Sequence, residues 1–272
     1  MRTSAAFAAL VVLVASGSGL AHAQWLNYPT PGIPRLADGK PNLDAPPPRL
    51  PDGKIDFSGI WTPDFAKTDP AASNRQQPAL GEDGALRLAT DDGSPIPLLP
   101  AAQAAVAARR ARNEPSPHDQ CLAAGIVDSL LVPAPLRFIH SPGLTVILLE
   151  AFSHFRQIYT DGRPLPADMQ PSWLGYSIGR WEGNEFVIET AGFNDRGRLD
   201  LITPITKSET LHTTERYRRP TFGTLEAQVT IDDPNTFTKV WKTRKFYLRL
   251  LADSDLIESI CENEKDRAHL KR

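Results

Sequence analysis

Residues 173–190 constrain the fold of this chain more than any other stretch. They read WLGYSIGRWEGNEFVIET, two apolar runs on either side of a Glu-Gly-Asn turn. Successive side chains of a strand point to opposite faces, so one face carries Trp173, Gly175, Ser177, Gly179 and Trp181. The two indoles therefore bracket a shallow floor, which a crossing segment, the bend of a barrel or a flat ligand has to fill.

The chain after residue 136 has the pattern of a β-domain. Apolar alternating runs such as 210–218 and 224–232 are separated by short Gly- and Pro-rich turns, with no helical pattern between them. This pattern predicts about eight antiparallel strands in a meander. Closure removes exposed strand edges, so we predict a mainly β fold with a lipocalin-like barrel over 136–272. A flat-packed sandwich is the alternative.

The residues before 136 are expected to contain little regular structure. Residues 24–56 are rich in proline and predict an extended arm. Residues 57–135 form an irregular segment with one short strand near 54–63 and one helix over 101–112. That helix begins after Pro100, is rich in alanine and ends in arginines, which suit the helix dipole.

The N-terminus predicts secretion. Arg2 precedes a short apolar run over 5–15, and Ala21-His22-Ala23 has the pattern of a cleavage site. We therefore predict a signal peptide over 1–23, cleaved after Ala23, and a periplasmic or secreted protein; a buried N-terminal helix is the alternative. No later run approaches the roughly 20 apolar residues of a membrane-spanning helix, so membrane insertion is not expected.

The charge composition limits the classes of molecule that this chain is expected to bind. The chain has 30 basic and 32 acidic residues; removal of 1–23 removes only Arg2, which leaves 29 against 32 and a net charge of −3. A chain without a basic stripe is a poor nucleic-acid binder. We expect a small-molecule ligand, no cofactor and no metal; Asp232 and Asp233, at a strand end, supply too few oxygens for calcium and more often cap a turn. The oligomeric state is left open.

The two cysteines, Cys121 and Cys261, predict one disulfide between the start and the end of the folded domain. An even pair in an oxidising compartment favours this pairing over two separate buried thiols, which is the alternative. Two cysteines with no histidine pair nearby do not make a zinc site.

Residues 175–179 match the G-x-S-x-G nucleophile elbow of α/β-hydrolases. The elbow requires a strand before the serine and a helix after it, whereas here a turn leads into another strand. We therefore reject the hydrolase triad and assign the glycines to a bend or a close approach of the strand.

The strand over 210–218 carries the strongest catalytic hypothesis. His212 and Arg216 share its polar face, which lies either in water, as on a surface hairpin, or in a polar barrel lumen. In the lumen, His212 would act as general acid or base, and Arg216 would stabilise developing negative charge. Asp161 and Arg163, in a turn, are the other predicted catalytic residues, although such an Asp often bonds its own turn backbone. The predicted substrate-binding residues are Tyr159, Trp173, Ser177, Trp181 and the acids Glu150 and Glu189, which end apolar runs.

Several motifs resemble those of a large group of secreted bacterial proteins of largely unassigned function. The matching segments are 57–61 (FSGIW), Cys121-Leu122, 158–163 (IYTDGR), 173–190, 192–194 (GFN), 215–218 (ERYR), 231–234 (IDDP) and 256–263. This chain departs from the group in Ala123 and Ala124, where prolines are usual, and in Asn184, which replaces an Asp and weakens any argument for a carboxylate there. The resemblance implies a secreted all-β protein and no particular activity.

Two functions follow from these patterns. The first is a cofactor-independent lyase, isomerase or hydrolase that acts by acid–base chemistry on a small cyclic substrate in the barrel. The second is a binding or carrier barrel that holds a similar molecule without transforming it. The mixture of histidine, arginine and acids on shared faces favours the enzyme, because carrier pockets are mostly apolar.

Overall fold

The structure is a computed structural model that describes residues 28–69, 87–115, 119, 121–123, 125–199, 203–257 and 259. The predicted signal peptide and Cys261 lie outside these residues. The strands are β1 (Gly59–Pro63), β2 (Leu136–Ser141), β3 (Leu144–Leu149), β4 (His154–Tyr159), β5 (Tyr176–Glu182), β6 (Glu185–Ala191), β7 (His212–Thr221), β8 (Thr224–Asp232), β9 (Trp241–Lys242) and β10 (Phe246–Leu250). The helices are α1 (Phe65–Thr68) and α2 (Pro100–Ala111), with 3-10 turns at Asp128–Leu130 and Ala151–Ser153.

The strands form one sheet that closes on itself. β10 pairs with both β1 and β8, so β1 to β8 and β10 make a nine-stranded barrel, and β9 is an extra strand on β8. The predicted mainly β, lipocalin-like barrel is confirmed. The barrel has one strand more than the eight predicted after residue 136. The additional strand is β1, which precedes that boundary and pairs with β10 and β2. β9 and β10 pair with β8 in registers that differ by one residue, as across a β-bulge.

One neighbouring pair departs from the predicted antiparallel meander. β4 and β5 run parallel and pair only through Ile158 with Ser177 and Tyr159 with Ile178. The other eight neighbouring pairs of the ring are antiparallel. A closed ring of nine strands cannot alternate direction throughout, so one parallel pair is a geometric necessity. Residues 160–175 supply the crossover connection that a parallel pair requires.

The barrel interior is filled by large side chains. The largest fully buried ones on the barrel strands are Trp61, Tyr217, Phe138, Phe186, Phe246, Leu136 and Ile147. The strands' inward positions also hold Ile158, Ile188, Leu225, Val229 and Leu248, all buried. The lumen is therefore a packed core.

The orientation of β7 overturns the predicted polar lumen. Thr213, Glu215 and Tyr217 are buried inside the barrel, whereas His212 and Arg216 lie on the outer face. The reason is the register between β7 and β8. The apolar side chains of β8 point inward, and they pair with the β7 residues that include Glu215 and Tyr217. The prediction that His212 and Arg216 line a cavity is wrong, and the surface-hairpin alternative is correct.

Both rims of the barrel are covered. At the rim with the β5–β6 and β7–β8 turns, hereafter the arm rim, the Pro-rich arm packs on the turns. Phe222 donates its backbone N–H to the carbonyl of Ala45, and the Trp181 indole donates to the carbonyl of Ile55. At the opposite, far rim, residues 125–132 enter the core just before β2.

The predicted helix over 101–112 is confirmed as α2, with Pro100 at its first position and Arg109 and Arg110 in its last turn. Within the described part of the chain, no helix is both long and apolar enough to cross a membrane.

Candidate functional site

A groove of about 570 Å³ lies at the arm rim. Its walls are the arm, the outer edge of β1 and β2, and the residues that follow β10. Its apolar lining includes Tyr28, Ile33, Ile60, Ile139, Leu250 and Leu251, and its polar lining includes Asp56, Ser58, Arg137, His140, Arg219 and Asp255. The FSGIW motif thus forms part of the groove.

Two segments far apart in sequence are fastened together beside the groove. Arg35 forms a bidentate ion pair with Asp253, at 2.5 and 2.8 Å. Thr30 donates its backbone N–H to the Asp253 carboxylate at 2.8 Å, and the Asp253 N–H donates to the Thr30 hydroxyl at 3.1 Å. The arm and the C-terminal residues therefore form one continuous wall.

Arg219 places a buried positive charge beside the groove. Its guanidinium donates to the backbone carbonyls of Asp56, Ser58 and Phe222 and stacks over two aromatic rings, with 4.8 Å to each ring centre. Desolvation lowers the pKa of Arg219 to about 10, so the group stays protonated at neutral pH. In the described residues no carboxylate lies within 4 Å of it, so peptide carbonyls, the two ring faces and the more distant Asp56 charge stabilise the guanidinium.

His140 is a neutral, buried imidazole. Its side chain is 5 % exposed, and desolvation lowers its pKa from 6.5. The Phe57 N–H donates to Nε2 at 3.2 Å, so Nε2 carries no proton, and Nδ1–H donates to the Thr145 hydroxyl at 2.8 Å. Both ring nitrogens are thus occupied, which makes His140 a weak general base in this conformation.

Asp56 and Ser58 offer hydrogen-bonding capacity to the groove. The Ser58 N–H donates to Asp56 Oδ1 at 2.7 Å and fixes that carboxylate. Asp56 Oδ1 also lies 4.0 Å from His140 Nε2. Among the described residues, Asp56 Oδ2 and the Ser58 hydroxyl make no hydrogen bond, so a bound molecule can use both.

Trp181 and Ser177 point inward, as their shared strand face requires, but neither lines the groove. The Trp181 ring packs 4.5 Å from the Phe186 ring, and its N–H is taken by Ile55. Ser177 belongs to a buried polar cluster. Ser177 also lines a separate space of about 240 Å³ together with Arg156 and Tyr159, and the predicted substrate contacts of Trp181 and Ser177 stay predictions.

The buried polar cluster is centred on Arg156 and Glu215, which sequence reasoning missed. The two groups form a bidentate pair at 2.6 and 3.0 Å inside the barrel. Tyr217 donates its hydroxyl to Glu215 at 2.9 Å, and Ser177 and Thr190 lie 3.4 and 3.3 Å from Arg156 Nη2. Burial alone would lower the pKa of Arg156, but the attraction and hydrogen bonds of Glu215 raise it. The pair is structural, since packed side chains enclose it.

The predicted catalytic residues on the outer face take part in surface ion pairs. His212 is 39 % exposed and lies 3.9 Å from Glu189, which also pairs with Arg180. Arg216 lies 2.9 Å from the carboxylates of Glu182 and Glu185. Exposed pairs of this kind contribute little to stability, because water and salt screen their charges.

Three of the remaining predicted residues lie together, and two lie elsewhere. Asp161 and Arg163 pair with each other at 2.6 Å in an exposed turn, and Arg163 stacks on Tyr159 at 4.0 Å. Trp173 lies under Arg196 at 5.5 Å, and Glu150 accepts from the Ile257 N–H at 3.1 Å. The structure therefore brings Asp161, Arg163 and Tyr159 into one cluster that does not include His212 or Arg216, and their predicted roles stay predictions.

In the residues that the structure describes, no group of three or more His, Cys, Asp or Glu side chains is arranged to hold a metal ion. No protein-family model, curated protein or solved structure matches the chain. Fold and groove together define a lipocalin-like barrel whose ligand-sized space lies outside the filled lumen. The resemblance to secreted bacterial proteins stays a prediction, as does the Cys121–Cys261 disulfide.

Lys207 is a further buried titratable group, near the far rim. It is 3 % exposed, and its ammonium donates to the backbone and side-chain oxygens of Asn194. Desolvation lowers its pKa to about 8, although Asp195 and Asp233 oppose the shift. No groove reaches the ammonium among the described residues, so we assign Lys207 to the structure of the rim.

The lowered pKa of Lys207 predicts a pH dependence of stability. Below about pH 8 both states are protonated, and the full cost of burying the charge is present. Between about 8 and 10.5 the unfolded chain binds more protons than the folded one, so the Lys207 contribution to stability rises with pH. The full gain is about 3 kcal/mol.

Urea unfolding of wild type and Lys207→Met at pH 7.5 and 10 measures this effect. The difference in the free energy of unfolding between the two proteins removes the contribution of other titrating groups. We expect this difference to change in favour of wild type at the higher pH. A difference that does not change with pH contradicts the lowered pKa.

Proposed function

We propose that this protein binds a small, largely apolar molecule in the groove at the arm rim and does not transform it. One observation carries the proposal: a groove of about 570 Å³ with mixed lining lies beside a barrel whose lumen is packed. Ligand sites commonly have volumes of about 300–1,000 Å³ and few polar groups among apolar ones. The predicted signal peptide supports a periplasmic or secreted location for this activity.

The state of the groove's titratable groups favours binding over catalysis. His140 has both nitrogens engaged, and every Arg219 nitrogen donates to a backbone carbonyl. A general acid or base needs a nitrogen or oxygen within reach of the reacting proton. This arrangement holds the wall of the groove in place.

Cofactor-independent acid–base catalysis is the second candidate, and one distance supports it. Asp56 lies 4.0 Å from His140 Nε2, so a small shift of the Phe57 N–H together with protonation of Nε2 would create a carboxylate–imidazolium pair in the groove. His140 would then replace His212 as the catalytic histidine. Chemical conversion of a groove ligand, followed by mass spectrometry and abolished in Asp56→Asn, would establish this function over simple binding.

Fluorescence titration with N-phenyl-1-naphthylamine tests the binding proposal. We expect saturable binding by wild type and at least tenfold weaker binding by Ile139→Glu, because the new carboxylate enters the apolar lining. Phe155→Glu is the matched control. Phe155, like Ile139, is an exposed apolar residue on the outer face of the barrel, but it lies outside the groove.

Equal loss in both variants would show that the probe adsorbs to exposed apolar surface, and absence of saturable binding by wild type would refute the proposal. Circular dichroism of each variant confirms that the fold is retained.

A further inference from the structure

Resting on the proposed function, we infer the chemical class of the ligand: a neutral, rigid ring compound that carries a hydroxyl group. The hydroxyl would lie against Asp56 and Ser58, and the ring would lie along the apolar lining between the arm and β2. Three features of the groove point to this class: its balanced charges, its unused hydrogen-bonding groups and its preformed walls.

The charges around the groove disfavour an ionic ligand. Two cations, Arg137 and Arg219, and two anions, Asp56 and Asp255, line it. Arg137 and Asp255 lie 3.5 Å apart across one side. Asp56, in turn, lies close enough to Arg219 to oppose the lowering of that guanidinium's pKa. A carboxylate or an ammonium would meet one repulsive charge for each attractive one, whereas a neutral molecule has no charge to desolvate.

The unused polar atoms fit a hydroxyl group. Asp56 Oδ2 is an acceptor, and the Ser58 hydroxyl is both donor and acceptor; neither has a hydrogen-bond partner among the described residues. A ligand O–H can donate to the carboxylate while its oxygen accepts from the serine. Because the Ser58 N–H already fixes Asp56, the acceptor is held in place before binding. A hydrogen bond to a charged group is stronger than one between neutral groups, so the hydroxyl should raise the affinity.

The walls favour a rigid body. Two prolines of the arm, Pro31 and Pro48, line the groove together with Ile60 and Ile139 of the barrel. The arm wall is fixed by the Arg35–Asp253 pair, so the space is preformed. A rigid ring loses less conformational entropy on entering a preformed site than a flexible chain does.

Calorimetric titration with four naphthalenes of similar size tests the inference at pH 7. The probes are naphthalene, 2-naphthol, 2-naphthoate and 2-naphthylmethylammonium. We expect 2-naphthol to bind about tenfold or more tightly than naphthalene, which corresponds to about 1.4 kcal/mol. Both ions should bind more weakly than 2-naphthol.

Asp56→Asn supplies the specific control. Asparagine keeps an oxygen for the Ser58 N–H and replaces the unused acceptor by a donor. We expect the advantage of 2-naphthol over naphthalene to fall to about threefold or less in Asp56→Asn, and Ser58→Ala to reduce the advantage partly.

Tightest binding of either ion, or equal affinity for 2-naphthol and naphthalene, would overturn the inference. If N-phenyl-1-naphthylamine still binds in those cases, only the ligand class is wrong and the proposed function stands. If none of the five probes binds, both proposals fail together.

Discussion

Replacement of Arg156 by methionine should lower the free energy of unfolding by about 3–5 kcal/mol, because it leaves the Glu215 carboxylate buried without its cation. Both side chains are less than 3 % exposed, and among the described residues Glu215 retains only the Tyr217 hydroxyl as a donor. Urea unfolding at pH 7, followed by intrinsic tryptophan fluorescence, measures the loss.

A double variant separates the cost of the orphaned charge from the value of the pair. Arg156→Met combined with Glu215→Leu removes both charges, while Ser177 and Thr190 keep their mutual hydrogen bond at 2.9 Å. We expect the double variant to be at least 2 kcal/mol more stable than the sum of the single effects predicts. Additive losses would mean that the ion pair is not the source of the effect.

Substitution of Gly179 by alanine should destabilise the barrel by about 1–3 kcal/mol through overpacking. A Cβ at this inward position would lie 2.6 Å from Ile158 Cγ2 and 2.9 Å from the Phe186 ring. The backbone at Gly179 needs no positive φ, so the loss reports crowding inside the wall. Thermal unfolding measures it.

Gly183 provides the matched control in the next turn. It has φ +62°, and a Cβ there meets nothing within 4 Å, so Gly183→Ala changes backbone strain alone and should cost about 1 kcal/mol. Phe186→Leu in the Gly179→Ala background should recover part of the loss, since the shorter side chain makes room. A Gly179→Ala loss that Phe186→Leu does not reduce would exclude crowding against that ring as the cause.

The sequence pattern was sufficient for the fold class, because strand alternation and short turns depend on neighbouring residues. Residues 173–190 did form the hairpin of β5 and β6, and the face with Ser177, Gly179 and Trp181 does point into the barrel. The space over Gly179 is filled by Ile158 and Phe186. The prediction that Trp173 and Gly175 share this strand face is wrong, because β5 begins at Tyr176.

The direction of a strand face was harder to predict. Alternation separates His212 and Arg216 from Glu215 and Tyr217, but it does not say which set is inside. A glutamate on the inner face contradicts the usual distribution of charge, and only its partner Arg156, 59 positions away, makes it tolerable. The residues near Glu215 in sequence therefore do not predict that Arg156 is its partner.

The groove was beyond sequence reasoning for a related reason. Its lining comes from the arm, β1, β2, the β7–β8 turn and the residues after β10, and proline-rich segments carry no periodicity to reveal where they dock. The Arg35–Asp253 pair joins residues 218 positions apart.

The single parallel step between β4 and β5 has an effect on where the chain ends meet. Nine strictly alternating strands would deliver the polypeptide, after its last traverse, to the mouth opposite the one where it entered. Because β4 and β5 run in the same direction, the chain crosses the barrel once without reversing. β10 therefore ends at the same mouth at which β1 begins. The residues after β10 and the arm before β1 are therefore neighbours, and the groove between them depends on the parallel direction of β5.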